Sequence, residues 1–333
     1  MIGPITGRLL GRHLPKFIFG PIHNETNRIF DRWTARLVAR QPFDAIIGYE
    51  NSTLNTFLAA KRMGAKCILD AASLHHAEQD RQYTSGLPSL YKARVDIIKD
   101  REIALADCIF ATSDLAAHSY RANVGAEKRI RTILLGVDID HFRPRVDQDP
   151  ARAARKEFTF AFVGSATANK GFDLILDAMD LLLSQGLSIR LSVAGVIDRS
   201  LFTGRKRVLD NIQEYGMVSH AELPSMLTST HCLLLPSRFD SFGMVVPEAM
   251  ACGVPVIVSN MVGAKQLVEE GRNGFVLPVG NLDALVDRMR WCIANPGLLG
   301  KMSVAARATA EGVGWASYRQ RFVAAVREVL LGP

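Results

Sequence analysis

The sequence of 333 residues has only five cysteines and contains no CxxC pair. The five are widely spaced and most lie in apolar segments, which favours reduced thiols in the cytoplasm over disulfides or a zinc site. No apolar run is long enough for a membrane-spanning helix, and the first residues do not have the pattern of a signal peptide. These absences predict a cytoplasmic protein.

Two classes of function are disfavoured by missing motifs. No strand-like segment is followed by GxGxxG, which argues against a nicotinamide-dependent Rossmann enzyme. No nucleic-acid-binding motif is present, and aromatic residues are not interleaved with the arginines, so nucleic acid is not an expected partner.

The positive charge is concentrated in the first half of the chain. The net charge is +7, and residues 1–157 carry 24 Lys/Arg against 18 Asp/Glu, compared with 16 against 15 in the remainder. A basic amphipathic helix is predicted from arginines at every fourth position beside apolar residues: Arg28, Arg32, Arg36 and Arg40, with Ile29, Trp33, Leu37 and Val38. The basic face of this helix is either exposed to solvent or in peripheral contact with the inner surface of an anionic membrane.

Short apolar segments alternate with helix-length segments along the whole chain. Strands are predicted at Asp44–Tyr49, Lys66–Asp70, Cys108–Thr112, Arg131–Leu135, Phe158–Val163, Ile189–Ala194, Tyr215–Val218, His231–Leu235 and Pro255–Val258. The alternation indicates βαβ units with parallel sheets. A length of 333 residues and 48% hydrophobic content are sufficient for two such domains.

The stretch His231–Asn260 reads as a strand, a loop, a helix over Met244–Cys252 and a second strand. This unit places a loop and a helix start at the carboxyl edge of a parallel sheet, where α/β proteins bind ligands. Free backbone N–H groups at Phe242, Gly243 and Met244 would favour an anion such as a diphosphate there. The carboxylates of Asp240 and Glu248 either face the same site or are a solvated turn residue and a helix-dipole partner.

The string PSRFDSFGMVVPEAMACGVPVIVSN resembles the donor-binding signature of glycosyltransferase family 4, a retaining family with the GT-B fold. Its motif is two glutamates separated by seven residues, and here Asp240 and Glu248 stand at those positions. The resemblance implies that Asp240 holds the hydroxyls and the oxocarbenium-like ring of the sugar. It also implies that Glu248 holds the ribose hydroxyls.

The segment FTFAFVGSATANKGF resembles the diphosphate loop of the same family. The family loop has Gly-Arg followed by Lys-Gly, and here Gly164 and Lys170 match while Ser165 stands where the arginine is expected. Arg238 is the nearest candidate in sequence to replace that arginine. The segment GMVSHAELPSML resembles the part that meets the nucleotide base, which implies a contact from Val218.

The segment from Ala106 to Pro144, ending in GVDIDHFRP, resembles the end of the family's first domain. We therefore expect an acceptor-side domain over 1–145, a linker near 144–157 and a donor-binding domain over 158–312. A final helix, Trp315–Leu331, is expected to pack back on the first domain. The first strand and the glycine-rich loop of the family are missing from residues 1–43, so the first sheet is expected to be incomplete, with four strands against six. The sixth strand of the second sheet is the last one, in the segment VGAKQLVEEGRNGFVLP, which resembles the family's next helix, turn and last strand.

His75 and His76 follow the strand Lys66–Asp70. The resemblance implies that His75 lies on the acceptor side near the reacting sugar, and a surface histidine pair is the alternative. Adjacent histidines are expected to point in different directions, and no HxxxH or DxD lies near them, so no metal site is predicted.

The implied activity is metal-independent transfer of a sugar, with retention, from a nucleoside diphosphate sugar to a glycan or lipid-linked acceptor. No cofactor other than this donor substrate is expected. A sugar-nucleotide-binding protein without transferase activity is the main alternative, because of Ser165, the shortened acid at Asp240 and the missing first strand. A nucleotide-sugar epimerase is a second alternative.

Overall fold

The computed structural model describes residues 16–82, 89–144 and 157–332. They form two compact units, each built on one parallel sheet. The first unit contains the described residues up to Ile133 together with those from Arg321 onwards, and the second spans Leu134–Gln320. The predicted linker and the predicted boundaries near it fall on residues 145–156, which lie outside the described residues.

The first unit alternates helices with four strands, in the order that the sequence predicts. In chain order the elements are α1 (Lys16–Val38), β1 (Ala45–Tyr49), α2 (Leu54–Arg62), β2 (Lys66–Ala71), α3 (His76–Gln82), α4 (Ser89–Leu105), β3 (Cys108–Ala111), α5 (Asp114–Asn123) and β4 (Arg129–Thr132). All neighbours pair in parallel in the order β1-β2-β3-β4. Because β3 is buried along its whole length, its residues are apolar without alternation.

Helix α1 buries a mainly polar face and leaves most of its apolar stripe exposed. Asn24, Asp31 and Val38 are buried, seven residues apart, whereas Ile29 and Trp33 are 66% and 55% exposed. Leu37 is exposed as well. The polar face is buried because Asp31 accepts hydrogen bonds from the backbone N–H groups of Asn55 (2.7 Å) and Thr56 (2.8 Å) in α2. The apolar stripe of α1 is therefore left uncovered by the described part of the first unit.

The second unit has six strands and begins its regular structure at β5. Its elements are β5 (Phe158–Val163), α6 (Phe172–Ser184), β6 (Ile189–Ala194), α7 (Lys206–Leu209), β7 (Ile212–Gly216), α8 (Leu223–Thr228), β8 (Cys232–Leu235), α9 (Val245–Ala251), β9 (Val256–Ser259), β10 (Gly274–Leu277), α10 (Leu282–Ala294), α11 (Pro296–Glu311) and α12 (Trp315–Leu331). The parallel sheet has the order β10-β9-β8-β5-β6-β7. This order reverses direction next to β5, and such a point opens a crevice at the carboxyl edge.

Two predicted strands are displaced in the structure. β4 ends at Thr132 rather than Leu135, because its partner β3 ends at Ala111 and offers no further ladder positions. The apolar residues that follow, Leu134 and Leu135, pack against the core of the second unit instead. β7 begins at Ile212 rather than Tyr215, since pairing with β6 sets its start.

The GVDIDHF segment is fixed inside the second unit by backbone hydrogen bonds. Val137 donates to the carbonyl of Val313 and accepts from the N–H of Trp315. Arg307 of α11 donates from Nη1 to the carbonyls of Ile139 (3.0 Å) and Phe142 (2.9 Å). This arginine satisfies carbonyls that the irregular segment leaves without ladder partners.

The later part of α12 belongs to the first unit. Phe322 packs edge-to-face on Phe110 of β3, with ring centroids 5.3 Å apart. Arg131 of β4 pairs with Glu328 at 2.7 Å. Among the described residues, no helix combines the length and apolarity that crossing a bilayer requires.

Two glycines that follow β5 and β6 allow the energetic weight of the close approach between these strand ends to be tested. Gly164 and Gly195 have φ of +134° and +133°, a conformation that strains any L side chain. A β-carbon at Gly195 would stand 1.9 Å from the carbonyl oxygen of Gly164, whereas one at Gly164 would meet nothing within 4 Å. We expect Gly164→Ala to lower the free energy of unfolding by about 1–3 kcal/mol, from backbone strain alone.

Gly195→Ala should lower the free energy of unfolding by clearly more than Gly164→Ala does, because the end of β6 must also move away from β5. Urea unfolding followed by far-UV circular dichroism measures both losses. Equal losses in the two variants would show that the close approach of the two strand ends has no energetic weight.

Candidate active site

A cavity of about 230 Å³ lies at the carboxyl ends of β5 and β6 and beside the residues that follow β7. Three predicted site residues, Gly164, Ser165 and Val218, line it together. Val196 and Met217 also line it and are 62% and 69% exposed. A mostly apolar wall of this kind suits a flat, partly apolar group such as a nucleobase.

Sequence reasoning did not identify Val196 and Met217 as lining residues. A signal for them was present, because Gly195 directly follows the buried strand β6, in the same way as Gly164 follows β5. A glycine at the end of a buried parallel strand marks a position where a ligand or another backbone approaches closely. Here the backbone of Gly164 makes that approach, and the two loops begin side by side.

The loops that follow β5 and β8 are joined by ion pairs and a backbone hydrogen bond. Arg238 donates from Nη1 and Nη2 to the two carboxylate oxygens of Asp173, at 2.7 Å each. The backbone N–H of Arg238 donates to the carbonyl of Asn169 at 2.9 Å. Two parallel N–H···O bonds fix orientation as well as distance, so these two loops are held in a fixed position relative to each other.

Lys170 and Asp240 form the second ion pair between the same two loops, with Nζ 2.6 Å from Oδ2. Their side chains are 32% and 17% exposed, so both remain reachable from solvent. The sequence assigned the two residues separate roles and did not predict this pairing. Arg238, the predicted replacement for the arginine missing at Ser165, has its guanidinium bound to Asp173.

The predicted loop at Phe242, Gly243 and Met244 precedes helix α9. Gly243 has φ +84°, and a β-carbon there would stand 2.9 Å from Cγ1 of Val262. Phe242 is buried, and its carbonyl accepts from the N–H of Ala264 at 2.6 Å. Within the described part of the chain, the N–H groups of these three residues have no acceptor. They remain available to a ligand oxygen.

Glu248 lies in the first turn of α9 and is partly buried. Burial raises the pKa of its carboxyl to about 7, from an ordinary value of 4.5. Among the residues that the structure describes, none donates a hydrogen bond to this carboxylate or pairs with it. A buried carboxylate without a donor is costly, and a ligand that supplies hydroxyl donors would remove that cost.

His75, the remaining predicted site residue, lies in the first unit and is only 5% exposed. Its ring packs edge-to-face on Tyr120, with centroids 5.4 Å apart, and its Nδ1 accepts from the N–H of Ala77 at 3.2 Å. Burial, followed by the neighbouring His76, lowers the pKa of His75 to about 4. The ring is therefore neutral at pH 7, and its role on the acceptor side stays a prediction.

The expectation that His75 and His76 point in different directions is wrong. Their rings stack with centroids 4.3 Å apart and 29° between the planes. With Asp100 they bring three possible ligand atoms within 4.8 Å of one another. Imidazole lone pairs lie in the ring plane, so stacked rings direct them side by side rather than toward one point, and we assign no metal to this cluster.

Comparisons with known proteins point to one family. Residues 145–309 match the family model described as group 1 glycosyl transferases. D-inositol 3-phosphate glycosyltransferase 1 of Catenulispora acidiphila is 29% identical over 69% of this chain and 59% of its own length. D-inositol 3-phosphate glycosyltransferase of Nocardiopsis dassonvillei is 26% identical over 94% of this chain and 74% of its own length. The chain thus spans 59% to 74% of these two relatives.

Solved structures confirm the predicted GT-B fold class. Sucrose-phosphate synthase from Thermosynechococcus elongatus has a TM-score of 0.71 at 19% identity, covering 89% of this chain and 76% of its own. Anabaena HepE in complex with UDP has a TM-score of 0.70 at 18% identity, covering 89% of this chain and 82% of its own. At these identities the likeness concerns the fold.

The raised pKa of Glu248 predicts how protein stability depends on pH. The folded state holds this proton up to about pH 7, whereas the unfolded state releases it near 4.5. The carboxyl therefore makes no difference below pH 4.5, lowers stability progressively between 4.5 and 7, and keeps its full cost above 7. At about 1.4 kcal/mol per pKa unit the cost is at most about 3 kcal/mol.

We expect Glu248→Gln to be more stable than the original protein at pH 8 and close to it at pH 4.5, as measured by urea unfolding. Glu269→Gln is the control, because Glu269 is exposed and pairs only with its neighbour Arg272. Its effect should be small at both pH values. If Glu248→Gln shows no pH-dependent difference, the carboxylate is better solvated than its burial indicates.

Proposed function

We propose that the protein transfers a sugar from a nucleoside diphosphate donor to an acceptor hydroxyl, because residues 145–309 match the family model of the group 1 glycosyl transferases. The observation that carries the proposal is the set of charges at the carboxyl edge of the second sheet. Lys170 pairs there with Asp240, and the partly buried Glu248 receives no hydrogen bond from a described residue.

The nucleoside part of the donor is assigned to the cavity at β5–β7 and to Glu248. The apolar wall formed with Val196, Met217 and Val218 would cover the base. Glu248 would accept hydrogen bonds from the ribose hydroxyls, and such bonds to a charged group are stronger than neutral ones. A nucleotide donor is supported by the solved structure of Anabaena HepE, which contains UDP.

The chemical step is assigned to Lys170, Asp240 and the loop at Gly243. Breaking the bond between the anomeric carbon and the diphosphate leaves the electron pair on the diphosphate and positive charge on the sugar. Lys170 and the free N–H groups near Gly243 would stabilise the leaving diphosphate, and Asp240 would face the sugar. In this proposal the acceptor hydroxyl attacks from the side that the diphosphate leaves and passes its proton to an oxygen of the departing diphosphate. Configuration is then retained, and no metal ion is needed.

A nucleotide-sugar-binding protein without transferase activity is the second candidate. One observation favours it: Ser165 lines the cavity where the resemblance calls for an arginine, and Arg238 is bound to Asp173. Leaving-group stabilisation then depends on Lys170 as the cation of these loops. Binding of a donor without transfer or hydrolysis would select this candidate.

The first experiment is calorimetric titration with UDP, GDP, ADP and dTDP, and with their sugars. We expect one nucleotide to bind saturably and Glu248→Ala to weaken it about tenfold or more, since a charge-assisted hydrogen bond contributes about 1.5–3 kcal/mol. Glu269→Ala, an exposed acid on the same unit, should leave the affinity unchanged. Equal affinities for the original protein and Glu248→Ala would remove Glu248 from the donor site.

Lys170→Met should reduce kcat about 10²–10³-fold, which is typical for loss of one group that stabilises developing negative charge. Lys301→Met, at an exposed position on α11, is the matched control. Products are followed by chromatography with a panel of glycan and lipid-linked acceptors. Full activity of Lys170→Met would contradict the assigned role.

We also propose that α1 holds the protein at an anionic membrane surface, at the inner face of the cell membrane. Ile29, Phe30 and Trp33 are 66%, 55% and 55% exposed on this helix, and Arg32 and Arg36 are exposed beside them. An apolar stripe bordered by arginines suits the interface between lipid headgroups and acyl chains. A lipid-linked acceptor would be reached from that position.

Co-sedimentation with vesicles tests this contact. Binding to vesicles with phosphatidylglycerol should exceed binding to phosphatidylcholine alone and should fall with added salt. Phe30→Ser/Trp33→Ser should reduce it about tenfold or more, since each ring contributes roughly 1.5–3 kcal/mol when buried. Val304→Ser removes an apolar side chain from α11 that is 73% exposed, more than either ring, and should not change vesicle binding. Unchanged binding of the double variant would leave α1 as a solvated helix.

A further inference from the structure

A second cavity, of about 330 Å³, lies within the first unit between α1, α4 and the loop after β1. Four arginines line it, Arg28 and Arg32 from α1 and Arg94 and Arg101 from α4. Its volume is at the lower end of the range found for small-molecule sites. The donor site does not use this cavity, and the proposed membrane contact shares only Arg32 with it.

The two acids in the cavity wall do not neutralise these arginines. Glu102 is fully buried, and its carboxylate accepts from the N–H groups of Asn51 at 2.7 Å, Thr53 at 2.8 Å and Leu54 at 3.1 Å. Asp31 accepts from the backbone and side chains of Asn55 and Thr56. Both carboxylates are therefore turned toward the start of α2.

The guanidinium groups have donors to spare. Arg28 donates from Nη1 to Glu25 at 2.6 Å, but its Nη2 is buried and has no hydrogen-bond partner. Among the described residues, Arg94 forms an ion pair only with Glu25, at 3.9 Å. Arg32 and Arg101 make no ion pair or hydrogen bond with any residue that the structure describes. Four positive charges in one cavity repel one another unless an anion lies among them.

The floor of the cavity is rigid. Asn51 has φ +65°, an unusual conformation for a residue other than glycine, and hydrogen bonds to both flanking helices hold it. Its N–H donates to Glu102 of α4, and its Nδ2 donates to Oδ1 of Asn24 of α1 at 2.5 Å. The two helices that carry the arginines are thus fixed to the same loop, so the arginines are preorganised.

From this arrangement we propose that the cavity binds the phosphate group of a phosphorylated acceptor. Planar guanidinium forks match the oxygens of a phosphate in pairs and remain charged at every physiological pH. This inference rests on the proposed glycosyl transfer, because it names the chemical class of the acceptor. The phosphate belongs either to a soluble phosphorylated compound or to a lipid headgroup.

The test compares Arg32→Gln/Arg101→Gln with the original full-length protein, using inorganic phosphate and glycerol 3-phosphate as calorimetric probes. These two arginines are exposed and have no partner among the described residues, so their replacement should not disturb folding. We expect saturable binding that weakens about tenfold in the double variant. Arg36→Gln/Arg62→Gln, with two exposed arginines outside the cavity, should bind as the original does.

Lys170→Met separates this site from the donor site. If phosphate binds in the cavity, Lys170→Met leaves the affinity for phosphate unchanged. If phosphate binds at the donor site, Lys170→Met weakens that affinity. Nucleotide affinity should be the same in the double arginine variant, so failure of this inference and failure of the proposed function give different results. Phosphate affinity that depends on Lys170 and not on the arginines overturns the inference.

Vesicles of phosphatidylcholine with and without phosphatidic acid distinguish the two sources of phosphate. If the double variant loses both soluble phosphate and selective binding to phosphatidic acid, while Arg36→Gln/Arg62→Gln keeps both, the acceptor is a phospholipid or another lipid-linked phosphate. If it loses soluble phosphate only, the acceptor is a soluble phosphorylated compound. Equal phosphate affinity of the double variant and the original protein overturns the inference in both forms.

Discussion

The salt bridge between Arg238 and Asp173 is the constraint on which the carboxyl edge of the second sheet depends. It ties the loop after β8 to the start of α6, and the N–H of Arg238 adds a bond to the loop after β5. Because Lys170 and Asp240 lie on these same two loops, their 2.6 Å pairing follows from that connection. The connection has a chemical consequence: Arg238 is occupied, so Lys170 provides the cation for the proposed chemistry at these loops.

Two glutamates, the fully buried Glu102 in the first unit and the partly buried Glu248 in the second, differ in the hydrogen bonds that their carboxylates receive. Burial raises the pKa of both Glu102 and Glu248 to about 7. Glu102 accepts three backbone N–H groups, two of which lower its pKa in part, so its carboxylate completes the start of α2. Glu248 receives no such donors from the described residues. A carboxylate that folding leaves without donors, at the edge where α/β proteins bind ligands, is better explained by a ligand than by stability.

The parallel sheets and most strand positions could be predicted from the sequence, because strands buried on both faces are short, continuous apolar runs. β5 and β6 have the predicted bounds for that reason. The end of β4 could not be predicted, since the length of its partner sets it. The pairing of Lys170 with Asp240 could not be predicted either, because the two residues are 70 positions apart and meet only through the order of the strands. The buried face of helix α1 could not be predicted, because the hydrogen bonds of Asp31, rather than apolar burial, determine which face is buried.

Binding of the proposed donor would change how the charges at the carboxyl edge are paired. A diphosphate brings negative charge to an edge that already contains Asp240 and Glu248, and its oxygens compete with Asp240 for the ammonium of Lys170. Opposite charges interact by several kcal/mol at such distances near a protein surface, so both contacts cannot be kept at full strength. If Lys170 turned to the diphosphate, as the proposed function requires, the carboxylate of Asp240 would lose its partner and become available to the hydroxyls of the sugar. The ion pair would thus keep both groups neutralised until a donor arrives, and the donor itself would separate them into their two roles.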